Sequence, residues 1–146
     1  MRNSIDPEAP IFINNEQIEI SNHPFELQPF VARVIQYLSL SIDYIEITLL
    51  DSKRIQELNQ QYFKNDVPTD TISFNLTPES DITGDIYLCP LIIQKNASEF
   101  DTTYEKELKT VIIHSILHLT GLNDESPEEY RKMQEAQARI LKALDS

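Results

Sequence analysis

Cysteine is nearly missing from this chain and tryptophan entirely so: its 146 residues hold one of the first and none of the second. A single cysteine excludes an internal disulfide framework and fits a reducing compartment. Long apolar runs are missing too. None approaches the ~18 residues of a membrane span, and the opening stretch MRNSIDPEAP lacks the basic-then-apolar pattern of a secretion signal. Positive charge is scarce, with 12 Lys and Arg against 24 Asp and Glu and a formal net charge of −12. Such an acidic excess favours solubility and works against broad adhesion to nucleic acid or anionic membranes. These absences lead us to expect a cytoplasmic protein with no membrane partner and no DNA partner.

What remains is ordinary globular material, 40% hydrophobic and 25% charged. The length suits one domain over residues 1–146, enough to bury roughly 70% of the surface exposed by the unfolded chain. No repeat, low-complexity tract or linker interrupts it. Residues 11–20 read as two short extended pieces around the turn-prone Asn14-Asn15. A helix begins near Pro29, with Phe30, Val31, Val34, Ile35 and Leu38 at helical spacing. Ile45, Ile47 and Leu49 alternate with Tyr44, Glu46 and Thr48, the pattern of a half-buried strand. Asp51 or Ser52 can cap a helix that presents Ile55, Leu58 and Tyr62 on one face.

After a polar loop at 63–70, Ile72, Phe74 and Leu76 alternate as a strand, and Ile86 and Leu88 mark another behind Gly84-Asp85. Pro90 opens a short helix. Thr102 and Glu105 form a capping box for a helix ending near Leu119, and Gly121 supplies the left-handed residue that stops it. Ser126, Pro127 and Glu129 open a last helix with Met133, Ala136, Ile140 and Leu144 inward. Strands and helices mix without a regular βαβ alternation. The expected class is therefore α+β, a small mixed β-sheet packed against helices.

Two of the three histidines, His114 and His118, stand four residues apart in VIIHSILHLTGLND. On a helix that spacing stacks both imidazoles on one face, as ligands of a shared metal must be. The surrounding helix is apolar nearly all round and therefore buried, where charged imidazoles are costly and neutral, metal-donating ones are not. Gly121 turns the chain so that Asn123 or Asp124 can face back, and the carboxylate is the better ligand. Two imidazoles and a carboxylate suit one Zn2+ with a fourth position open to water, although manganese, iron and nickel accept similar donors. A zinc peptidase of the H-E-x-x-H type needs glutamate after the first histidine, and Ser115 stands there. Hydrolysis of something other than a peptide is the expectation.

The run from His114 to Asp124 resembles the H-G-x-L-H-L-x-G-Y-D-H signature of the YbeY family. Leu58-Asn59, Tyr62 and Asp66-Val-Pro68-Thr69-Asp70-Thr-Ile-Ser73-Phe74 are similar to its L-N-x-x-Y-R-x-x-D-x-P-T-D-V-L-S-F block, and Gly84-Asp85-Ile86 to its G-D-I strand. Together these cover about residues 45–140. The resemblance implies a zincin-like α+β fold with a metal-binding helix, and a single-strand-specific, zinc-dependent endoribonuclease. It further implies action on the 3′ end of 16S rRNA and in ribosome quality control, with rRNA and the small ribosomal subunit as partners. Three positions depart from the pattern: Asp124 replaces the third histidine, Ser115 a glycine, and Phe63 the arginine assigned to substrate. Lys64 is the nearest cation and the expected substrate contact, although it lacks an arginine's bidentate fork.

Two other readings accompany this one: a ribosome-associated factor whose zinc is structural, and a small metallopeptidase. The first is favoured by the missing arginine, the second opposed by Ser115. No general base is identifiable. Thr69, Asp70 and Asp85 read as capping or loop-shaping groups, Cys89 as a core residue and His23 as a surface residue. Tyr62, Phe63 and Phe74 can stack bases but read first as packing. The cations Arg33, Lys53, Arg54, Lys64, Lys95, Arg131, Lys132 and Arg139 form no dense run. Of these, Lys53, Arg54 and Lys64 are expected on one rim of the cleft, giving weak, salt-sensitive binding to free RNA.

Overall fold

β-Branched residues at alternate positions build the sheet. In the computed structural model, which describes residues 10–145, strand β1 (Ile11–Asn15) pairs in parallel with β2 (Ile42–Leu49). β2 pairs in parallel with β4 (Ile82–Leu88), and β4 pairs antiparallel with β3 (Thr71–Asn75). The sheet order is β1-β2-β4-β3. Ile11, Ile45, Ile47, Ile86 and Leu88 point to one face and are buried there. That face is covered by α1 (Leu27–Tyr37), α4 (Tyr104–Leu119) and α5 (Pro127–Leu144), whose Phe30, Val34, Ile113, Ile116, Met133 and Ile140 complete the main core. The α+β class expected from sequence is the one observed.

Helix α2 (Ser52–Phe63) lies on the other side, where Ile55 and Leu58 meet Leu50, Ile72 and Cys89 in a second cluster. Helix α3 (Pro90–Glu99) packs against α4. α4 thus contacts α1, α3, α5, β3 and β4, which is why it is apolar on every side. No helix among the described residues is long and apolar enough to cross a membrane.

Four local expectations change. The extended stretch ends at Asn15, because Asp51 Oδ1 accepts from the backbone N–H of Ile18 and Glu19 at 2.9 and 3.2 Å and draws the chain off the sheet. Asp51 precedes α2 without capping it through its side chain. Glu19 does so instead, accepting from Ser52 N at 2.7 Å and Ser52 Oγ at 2.6 Å. Tyr62 does not share the buried face of α2 and is exposed. Thr103, not Thr102, caps α4, accepting from Lys106 N at 3.1 Å. The capping box at Ser126 and Glu129 and the positive φ of Gly121 (96°) are as the sequence indicates.

Gly84 explains why glycine precedes Asp85. A Cβ on it would lie 2.6 Å from Leu119 Cδ1 and 3.2 Å from Ile45 Cγ1. Its hydrogen is what lets the end of α4 settle on the sheet. Gly84→Ala is expected to lower stability by about 1–3 kcal/mol through overpacking, measured by urea unfolding. An unchanged midpoint would show that Leu119 repacks freely.

Candidate metal centre and its cleft

α4 and the turn after it assemble three donors at one point. His114 and His118 lie one helical turn apart, and Gly121 reverses the chain so that Asp124 returns towards them. His118 Nε2 is 3.0 Å from His114 Nε2, and Asp124 Oδ2 is 3.4 Å from the first histidine's Nε2 and 3.6 Å from the second's. A cation held tetrahedrally at about 2.0–2.2 Å needs donors about 3.3–3.6 Å apart. The observed triangle is close to that size.

The protonation pattern points the same way. His114 Nδ1 donates a short hydrogen bond to Gln137 Oε1 on α5, so the lone pair of the neutral ring sits on Nε2. Burial, then the neighbouring His114, push the pKa of His118 below the ordinary histidine value, with Asp124 partly opposing. The ring is thereby kept in the neutral form a metal requires. The two imidazole Nε2 atoms and the carboxylate oxygen face one another at 3.0–3.6 Å, an arrangement that a cation accommodates. His114, His118 and Asp124 therefore form a cluster capable of coordinating a metal ion.

Ser115, which follows the first ligand in sequence, is buried. Its hydroxyl lies 2.8 Å from Thr71 Oγ1 on β3 and donates to Val111 O at 2.8 Å. The serine in place of a glycine is thus accommodated by a partner on the adjacent strand, and it ties the metal helix to the sheet edge. Asn75 Nδ2 adds a second tie, donating to Leu119 O at 2.9 Å.

Two cavities open beside the cluster, and His114 and Asp70 line both. One, about 440 Å³, lies towards β3 and α2 and is bounded by Phe63, Thr69, Ser73, His118, Asn123 and Glu125. The other, about 450 Å³, lies towards α3 and α5 and is bounded by Phe100, Glu107, Tyr130, Gln134 and Gln137. Asp70 had read as a loop-shaping residue. Its backbone carbonyl accepts from Cys89 N at 2.9 Å, and the residue lines both cavities. Burial, then Asp70, raise the pKa of Glu107 above the ordinary carboxyl value.

The basic rim is not assembled as expected. Arg54 stands ten residues before Lys64, about 15 Å along the axis of α2, and lines a different groove with Glu46, Asp85 and Tyr87. Asp85 is not a capping group: it sits within β4 and accepts from Tyr87 Oη at 3.0 Å. Lys64 is exposed at the end of α2 in left-handed conformation (φ 57°), next to Phe63. Cys89 is buried and His23 exposed, as read. Gln137 and Glu107 escaped the sequence reading. The signal for Gln137 was available: an amide within the stripe of Met133, Ala136, Ile140 and Leu141 that α5 buries.

A family model described as Endoribonuclease YbeY matches residues 12–145. The chain belongs to the YbeY family. The Endoribonuclease YbeY of Thermotoga sp. (strain RQ2) is 46% identical over 89 residues, spanning 61% of this chain and 59% of that protein. The match thus spans about three-fifths of that relative's length. The YbeY of Chloroherpeton thalassium is 32% identical over 119 residues, 82% of this chain and 84% of that one. A solution structure of a Thermotoga maritima protein aligns with a TM-score of 0.58 at 31% identity, over 92% of this chain and 91% of that one.

Proposed function

We propose that this protein is a single-strand-specific, zinc-dependent endoribonuclease of rRNA maturation, acting in the cytoplasm as one domain on the 16S rRNA 3′ end and in ribosome quality control, with the small ribosomal subunit as partner. The observation that carries the reading is the convergence of His114, His118 and Asp124 in an open cleft of a YbeY-family chain. When bound, one zinc ion supplies Lewis acidity at the scissile phosphodiester. The chain's own contribution is positional. Gln137 holds His114 in the donating tautomer, burial keeps His118 neutral, and Ser115 with Thr71 fixes the helix against the strand. Lys64 is the proposed contact for a phosphate at the cleft's outer edge.

The number of donors among the described residues favours catalysis over a structural zinc. Three protein ligands leave a tetrahedral position free, whereas structural sites close with four. The peptidase reading loses further support because the Ser115 hydroxyl is committed to Thr71 and Val111. The test is incubation of purified protein with single-stranded and duplex RNA, with and without chelator. Cleavage of the single strand that stops with chelator and returns with zinc is expected. Cleavage that persists in chelator would overturn the metal mechanism, and none with any divalent ion would favour the binding-factor reading.

A further inference from the structure

The cleft holds an unusual pairing: aromatic rings at both ends and no basic side chain between them. Phe63 is 54% exposed, lines the cavity on the β3 side, and stacks on Phe74 with ring planes 5° apart and centroids at 6.1 Å. Tyr62 braces Phe74 edge-on at 5.2 Å. In the other cavity Phe100 and Tyr130 are 66% and 55% exposed. His114 belongs to both cavities, so the metal cluster stands between the two aromatic ends. Among the described residues, none of the side chains lining either cavity is lysine or arginine, while Asp70, Glu107 and Glu125 are carboxylates.

Resting on the nuclease reading above, we propose that Phe63 on one side and Phe100 with Tyr130 on the other are stacking platforms for unpaired bases flanking the scissile phosphate. The RNA is held by its bases rather than by its backbone charge. An exposed ring already braced by a second ring loses little freedom when a base lies on it. Stacking also tolerates any sequence, because every base offers a π-face. A duplex keeps its bases stacked on one another, so it cannot use these platforms, and the preference for single strands follows. Carboxylates between the rings would repel a backbone laid deep in the cleft. They leave phosphate contact to the metal cluster and to Lys64 outside.

The test is fluorescence anisotropy of the zinc-loaded full chain with a labelled 2′-O-methyl single strand across a salt series, beside cleavage of the unmodified strand. Phe63→Ala and Phe100→Ala are each expected to weaken binding about 5- to 100-fold, the worth of one stacked base. Phe63→Trp is expected to bind within about threefold of wild type, because it keeps a π-face there. Phe12→Ala, an equally exposed ring on β1 at the opposite edge of the sheet from β3, should bind as wild type does. The slope of log K against log salt is expected to be no steeper than about −1.4, the two phosphate contacts made by the metal cluster and Lys64 on a single strand. Wild-type cleavage with undiminished affinity in both alanine variants, or a slope of about −3 or steeper, would overturn the platforms and leave the nuclease reading standing. A wild type that neither binds nor cleaves would overturn both.

Discussion

Replacing His118 with alanine is expected to lower the zinc affinity of the purified protein by about 100- to 1,000-fold. Four-ligand zinc sites bind with apparent free energies of about 10–16 kcal/mol, so one ligand represents about 2.5–4 kcal/mol. His118 is one corner of a three-donor triangle with no fourth protein ligand to take its place among the described residues. The fold should survive, because the His118 ring borders the cleft rather than filling the core. Competition titration against a zinc-chelating dye reads the affinity, and far-UV circular dichroism checks the helix. RNA cleavage at a zinc level that saturates the wild type should vanish in parallel. An affinity within threefold of wild type would remove His118 from the metal site.

The second large effect lies outside the ligands. Gln137→Leu is expected to weaken zinc binding about 10- to 100-fold, the usual consequence of losing the partner that orients a metal-bound imidazole. Gln137 is only 6% exposed, and its Oε1 is the acceptor for His114 Nδ1–H. Leucine fills similar space but leaves that N–H without an acceptor, and the ring is then free to turn or to adopt the other tautomer. A buried donor so stranded also costs about 1–3 kcal/mol of stability. Gln137→Glu supplies the acceptor again, with a charge that makes the imidazole a stronger donor, and should restore affinity. Equal losses in both variants would mean that Gln137 acts through packing alone.

The residues that were legible in the sequence are those whose role is set by near neighbours. The histidine spacing, the glycine at 121 and the all-round apolarity of residues 108–119 each report a local geometry. The metal cluster follows from them. What escaped depends on partners far along the chain. Gln137 meets His114 from another helix, and Asp70 reaches the cleft because its carbonyl pairs with Cys89 N. Ile18 and Ile20 alternate as a second extended piece would, yet Ile18 is 90% exposed and Asp51 captures its N–H. Thr102 has the capping-box partner Glu105 in sequence, yet it is the adjacent Thr103 that caps α4. Lys53, Arg54 and Lys64 are close in sequence, but a straight helix carries the first two and the last to opposite ends.

The exchange of carboxylates between residue 19 and residue 51 bears on the order in which the molecule folds. A 12-residue helix is marginal alone, since its first turn is costly to nucleate. The first turn of α2 takes its cap from a residue 33 positions earlier, on the segment that leaves β1. That partner arrives only after the parallel β1–β2 pairing has closed the intervening loop, a non-local and therefore slow event. α2 thus consolidates late, and the rings it carries at the cleft mouth are among the last parts of the molecule to reach their places. Amide exchange should be faster at its amino-terminal end than along α4, whose cap is built from its own adjoining residue.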